Sequence, residues 1–255
     1  MKIPSFHWWR TIFFLIPAIA VYSIVLGTVS IASSLSGGRG YFAHRCARAW
    51  SWLILVTTGV RVRVSGLDQL VLGTTYVFVS NHQSIYDIPV IFWSLPYQVR
   101  IIAKQSLGSF PFLGWHLRRT GHLLVDRRNP DRSRILRRWR ELVKLGLSLI
   151  VFPEGTRSQD GRVGRFKAGS FLLAIEAGLP VVPLSIVGTR LVMRKGQLTT
   201  RPGSATLVVH RPIDTADGSW MATVDDAKRL AADVQRTITG RVEAAERAAG
   251  TWPAD

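Results

Sequence analysis

From Thr11 to Gly38 the chain carries no charged residue, and within that window "IFFLIPAIAVYSIVLG" is apolar almost without a break. A helix of ~20 such residues crosses the ~30 Å hydrocarbon layer of a bilayer, so this segment seeks lipid. It is too long for the usual core of a signal peptide, and no A-x-A site closes it. A second apolar run, "AWSWLILVTTGV" at 49–60, has only 12 residues and reads as re-entrant or interfacial. Trp8, Trp9, Trp50 and Trp52 sit where an aromatic belt is placed. Lys2 and Arg10 precede the first run and Arg39, Arg45 and Arg48 follow it, so charge favours neither simple orientation; a hairpin with both ends on the cytoplasmic face reconciles them. Residues 1–60 are therefore expected to form a membrane-anchoring helical hairpin or re-entrant segment, on the cell membrane, with the rest of the chain on its cytoplasmic face.

Beyond residue 60, short β-rich runs alternate with helical patterns, which predicts an α/β class: a mixed, largely parallel central sheet flanked by helices, behind the N-terminal membrane-associated helical segment. "VRVRVSG" at 60–66 alternates apolar and basic residues and predicts an edge strand. "YVFVS", "VRIIAK", "GHLLVDR", "LSLIVF" and "VVPLSIVG" read as central strands. "NPDRSRILRRWRELVKLG" predicts a helix with Asn129 as N-cap, Pro130 in the first turn and Gly146 at its end, its face of Ile135, Leu136, Trp139, Leu142 and Val143 turned to the sheet. Residues 61–215 are expected to form one α/β domain. The rest, 216–255, is expected to be a C-terminal amphipathic helix and tail, with Leu230, Val234 and Ile238 inward and a soft interruption at Gly240.

The 33 Lys plus Arg against 16 Asp plus Glu, a formal charge of +17, make the surface attractive to polyanions such as anionic lipid headgroups, cofactor phosphates or nucleic acid. Binding of nucleic acid accounts for neither the uncharged run nor a His beside an Asp at a strand end, and no RRM or zinc signature is present. A basic adaptor at the membrane would not require Glu154 in a basic pocket. Cys46 has no partner within the chain, and the histidines lack metal-ligand spacing. No metal is implied, and oligomeric state is left open.

In open α/β sheets ligands gather beyond the carboxyl ends of strands. His82, Lys104, Arg127 and Glu154 each fall at or just past such an end. A His just before a helix can accept a proton from an attacking hydroxyl if its tautomer is fixed, and Asp87 is near enough in sequence to hold the other ring nitrogen. No G-x-S-x-G elbow offers a nucleophile, so the activated hydroxyl belongs to the substrate. A thioester suits so small a site, because its thiolate leaves without a strong general acid. The tetrahedral oxyanion still needs donors, and backbone N–H groups near the helix start after His82 are the expected ones. In "VFPEGTRS", Arg157 joins Arg127 and Lys104 in a pocket suited to a phosphate dianion, with Glu154 accepting hydrogen bonds from glycerol hydroxyls. "FKAGSFLLAIEAG" predicts a packing helix, with Lys167 within possible reach of the site.

"NHQSIYD" resembles the H-x4-D motif of the glycerolipid acyltransferases, and "GHLLVDR", "FPEGTRS" and "VVPLSIVG" follow in family order. The set, over roughly residues 75–190, is similar to the 1-acylglycerol-3-phosphate acyltransferases of the bacterial type. The resemblance implies that His82 is the general base and Asp87 its orienting carboxylate. It also implies that Arg127 and the turn Glu154, Gly155, Thr156 and Arg157 bind the acceptor's glycerol phosphate, and that Lys104 matches a phosphate-contacting Lys. The implied acceptor is the sn-2 hydroxyl of lysophosphatidic acid, with glycerol 3-phosphate or a lyso-aminolipid as the sister specificities. The implied donor is acyl-CoA or acyl carrier protein, with no cofactor. His122 and two leucines precede Asp126 where the family often has bulkier side chains, which bears on acceptor or chain-length preference.

Overall fold

A computed structural model of the chain describes residues 5–33, 40–126 and 131–252, apart from the side chain of Arg132. The first run forms a continuous rod: α1 (Phe6–Arg10), one π-helical turn (Thr11–Leu15) and α2 (Ile16–Ser33). The π turn lies just before Pro17, whose ring would clash with the carbonyl four residues back in a regular α-helix. The rod is long and apolar enough to cross a membrane, and few of its side chains are buried by the protein itself. Phe13, Phe14, Val21 and Val25 are all exposed, a surface that belongs in lipid rather than water.

The second run is not a separate re-entrant loop. It is the latter half of α3 (Tyr41–Thr58), an 18-residue helix whose Ile54, Leu55 and Thr58 are buried. The residues before the run, "YFAHRCAR", complete the helix, and Gly59 at φ +77° lets the chain reverse into the sheet. α2 and α3 run antiparallel: the Arg10 guanidinium reaches the Thr58 carbonyl at 2.8 Å, the Tyr22 and Thr57 hydroxyls meet at 3.0 Å, and the Trp50 indole donates to Ser23 Oγ at 3.0 Å. The two apolar segments thus pack against each other as an antiparallel pair of helices. Lys2 and Arg39 lie outside the described residues.

The seven-stranded sheet has the order β1-β7-β6-β2-β5-β3-β4. Its strands are β1 (Val60–Ser65), β2 (Val77–Ser80), β3 (Val99–Lys104), β4 (Leu123–Val125), β5 (Ser148–Val151), β6 (Val181–Val187) and β7 (Gly203–Val209). Every neighbouring pair is parallel except β6 and β7. β1 is the expected edge. β4, expected in the centre, is the opposite edge and only three residues long: the chain enters it through Gly121 at φ +85°, and Leu123 is apolar because a helix covers it. β7 is an unforeseen strand.

Successive strand residues face opposite sides, so Val77 and Val79 join one core while Phe78 joins the other. Packed on the Phe78 side are α3, α4 (Asp87–Ser94) and α5 (Leu113–Arg119). On the Val77 side lie α6 (Arg132–Lys144), α7 (Gly169–Glu176) and α9 (Val224–Ala248), while the short α8 (Thr189–Val192), after β6, buries Val192 on the Phe78 side. α6 buries Trp139 and Leu142 as expected, but its described N-cap is Asp131, whose carboxylate accepts the Arg134 N–H at 2.9 Å; Asn129 and Pro130 lie outside the described residues. α9 starts at the N-cap Thr223 and buries Leu230, Val234 and Ile238, yet runs unbroken through Gly240. A single glycine costs ~1 kcal/mol in a helix, too little to break one held by a buried stripe.

Candidate active site

Three adjacent strands, β6, β2 and β5, end side by side and in the same direction, so the segments after them meet. After β2, Asn81 keeps the ladder intact as the backbone turns away: its side-chain amide donates to the Ile186 carbonyl and accepts the Ile186 N–H, both at 2.8 Å. The next residue, His82, is thereby delivered at a fixed height above the sheet.

Asp87 is fully buried and its four described hydrogen bonds are saturating. Oδ2 accepts the Gln83 N–H at 2.8 Å and the Ser84 N–H at 2.9 Å, and lies 2.7 Å from His82 Nδ1. Oδ1 accepts the Thr189 hydroxyl, from the turn after β6, at 2.6 Å. With a carboxylate on Nδ1, that nitrogen carries the proton and Nε2 keeps a free lone pair. The other face of the ring stacks on Phe152, just past β5, at 4.2 Å between centroids. The imidazole is therefore held by a hydrogen bond in its plane and by an aromatic surface against it.

The turn after β5 reaches the same residue from the other side. Glu154 Oε1 accepts the His82 N–H at 2.7 Å, Oε2 accepts the Gly164 N–H at 2.9 Å, and the Ser158 N–H donates to the His82 carbonyl at 2.7 Å. Burial pushes the Glu154 carboxyl above its ordinary range, against the pull of those two N–H groups and of His82. Glu154 thus clamps the backbone of the His82 turn, where sequence alone points to substrate hydroxyls. Gly155 has φ +74°, and a Cβ there would lie 3.0 Å from Lys167 Nζ, so Lys167 comes up against this turn. Thr156 is exposed beside it, and Arg127 lies outside the described residues.

His82, Lys104 and Arg157 line one cavity of about 330 Å³ between the hairpin and the domain. The remainder of its wall is largely apolar, with Leu26, Trp50, Ile88 and Leu113 among the contributors. Cys46 is buried in that wall instead of facing lipid. Three of the expected oxyanion donors are already committed: the Gln83 and Ser84 N–H groups serve Asp87, and the Tyr86 N–H serves Ser84 Oγ. Of the predicted residues, His82, Asp87, Glu154, Gly155 and Arg157 come together, and Lys104 joins across the cavity. Phe152, directly after β5, and Thr189, two residues past β6, are the additions, both close enough to a strand end for the strand-end rule to have flagged them.

A family model described as Acyltransferase matches residues 61–187. Among curated proteins the chain is 38% identical over 205 residues to a chloroplastic 1-acyl-sn-glycerol-3-phosphate acyltransferase of Brassica napus, covering 79% of this chain and 58% of that one. It is 34% identical over 137 residues to the 1-acyl-sn-glycerol-3-phosphate acyltransferase of Pseudomonas aeruginosa, covering 52% of each. The chain therefore spans a little over half the length of these curated relatives. Among solved structures it resembles the 1-acyl-sn-glycerophosphate (LPA) acyltransferase PlsC of Thermotoga maritima, with a TM-score of 0.75 and 28% identity over 94% of this chain and 98% of that one.

Proposed function

Residues 61–187 belong to the Acyltransferase family, and from that premise we propose that this chain moves a fatty acyl group from a thioester donor, acyl-CoA or acyl carrier protein, to the sn-2 hydroxyl of lysophosphatidic acid. The product is phosphatidic acid, for phospholipid synthesis. The observation that carries the reading is the buttressed His82–Asp87 pair on the wall of an apolar cavity that also bears two cations. His82 Nε2 takes the proton of the acceptor hydroxyl as its oxygen bonds to the thioester carbonyl carbon. The tetrahedral intermediate then collapses, the C–S bond breaks, and the thiolate leaves with the proton that His82 holds. Asp87 fixes the tautomer and stabilises the imidazolium in between. Arg157, Lys104 and Arg127 bind the acceptor's phosphate, with Gly155 and Thr156 shaping the turn around it, while Glu154 holds the turn to His82.

The acyl chain lies in the cavity between hairpin and domain. The hairpin of residues 1–60 sits in the membrane with the acyltransferase domain, 61–215, on the cytoplasmic face, and the C-terminal helix and tail, 216–255, complete the structure. Lysophosphatidic acid leaves its own acyl chain in the bilayer and lifts only its headgroup and hydroxyl into the site. In detergent or lipid, the protein should release free CoA from acyl-CoA when lysophosphatidic acid is added. Glycerol 3-phosphate and lyso-aminolipids in the same assay test the sister specificities. His82→Ala should lower the rate by ~10²- to 10⁴-fold with fold and membrane association intact. Full activity in that variant would remove the general base from the mechanism.

A further inference from the structure

Gln83 and Glu246 are buried, at 1% and 4% exposure, and meet 163 residues apart in sequence. Gln83 Nε2 donates to the Gly161 carbonyl at 2.9 Å and to Glu246 Oε1 at 3.1 Å. The bond to Gly161 fixes which way the amide points. Two acceptors, Gln83 Oε1 and Glu246 Oε2, are then left buried with no donor. A charged carboxylate would turn to the nearby Arg190, yet Arg190 Nε is itself buried without an acceptor, so the two do not pair.

Resting on the acyl-transfer reading above, we propose that Glu246 is a positioning residue for His82, acting as a neutral acid joined to Gln83 by two hydrogen bonds. In this arrangement Gln83 Nε2–H donates to Glu246 Oε1, and the acid O–H donates back to Gln83 Oε1. One proton satisfies both orphan acceptors. Burial raises the Glu246 carboxyl above its ordinary range, against the Gln83 hydrogen bond and the Arg190 charge. The pair reaches the chemistry through the backbone of Gln83, whose N–H donates to the same Asp87 Oδ2 that holds His82 Nδ1. Anchoring the far end of Gln83 to α9 and to the loop at Gly161 leaves that N–H one orientation. The C-terminal helix thereby becomes a brace for the His82 turn.

The test is CoA release by the full chain in detergent, with lysophosphatidic acid or whichever acceptor supports turnover. Glu246→Ala and Glu246→Leu should each lower kcat by about tenfold or more, with both KM values within about twofold, because a misplaced base slows chemistry without weakening binding. Glu246→Gln supplies the returning donor permanently as an amide and should keep kcat within about threefold of the unaltered protein. Rates are taken per folded molecule, with the folded fraction from thermal melts. Unchanged kcat in both the Ala and Leu variants, or a loss confined to KM, would overturn the proposal. So would Glu246→Gln as slow as Glu246→Ala, which would mean that the charge is what matters. An unaltered protein inert toward every acceptor overturns the acyl-transfer reading, and this inference with it.

Discussion

At the scale of single residues, the site is organised around Asp87 more than around His82. Each Asp87 oxygen is spoken for, and the Thr189 hydroxyl is the only described partner of Oδ1. Thr189→Val keeps the shape but leaves a buried carboxylate oxygen without a donor, which costs about 1–3 kcal/mol. The expected outcome is a lower melting temperature and several-fold slower turnover, with Thr189→Ser close to the unaltered protein. Equal stability of the Val and Ser variants would show that Oδ1 draws its hydrogen bond from elsewhere. Sequence alone exposes the pairing of His82 with Asp87, because a fixed spacing across one turn is a local property. It does not expose the Thr189 contact, which depends on β6 and β2 being neighbours. Glu246 left one trace: Leu230, Val234, Ile238 and Val242 step by four along the inward face of α9, and the next step is a carboxylate.

At the scale of elements, the antiparallel helices α2 and α3 form one wall of the cavity. Cys46 on α3 is buried in that wall while His82 stands on the domain side. Cys46→Phe puts a ring into the cavity, at a stability cost of typically 1–3 kcal/mol if neighbours must shift. If the acyl chain lies there, the variant's optimum across a series of saturated acyl-CoAs should move to shorter chains while the KM for the acceptor stays unchanged. An unmoved optimum would place the acyl chain elsewhere. Most elements are legible because apolar runs bounded by Gly or Pro leave few choices. β7 is not, since its first residues, Gly203, Ser204 and Ala205, have weak strand preference, and the strand is held extended by the partners on either side, β1 and β6. β4 misleads for the opposite reason. Its apolar residues announce a central strand, but their burial comes from helix packing rather than from strands on both sides.

At the scale of the whole molecule, the hairpin must stay docked on the domain for the cavity to exist, and part of that docking is polar. His116 on α5 meets the Ser30 hydroxyl on α2, with 2.8 Å between Nδ1 and Oγ. His122 Nδ1 accepts the Ile101 N–H at 3.0 Å, which keeps that ring neutral, and the two rings lie 5.8 Å apart. Burial first, and then the Arg100 charge, lower the His116 pKa to about 4; the same causes, with His116 and His44 added, hold His122 well below its usual value. Between pH 6.5 and about 4 the unfolded chain therefore binds protons at these positions that the folded protein refuses. Stability is lost as pH falls through that window and is fully present above it, with His116 alone contributing a loss of roughly 2 kcal/mol by pH 5. Acid also raises an already large positive charge, so the melting curve of the unaltered protein cannot isolate the effect. The comparison that does is His116→Gln against the unaltered protein in the same detergent. An amide can still bond Ser30 but does not titrate, so the variant should lose less melting temperature between pH 7.5 and pH 5. Parallel falls in the two proteins would show that His116 takes up its proton in the fold as readily as out of it.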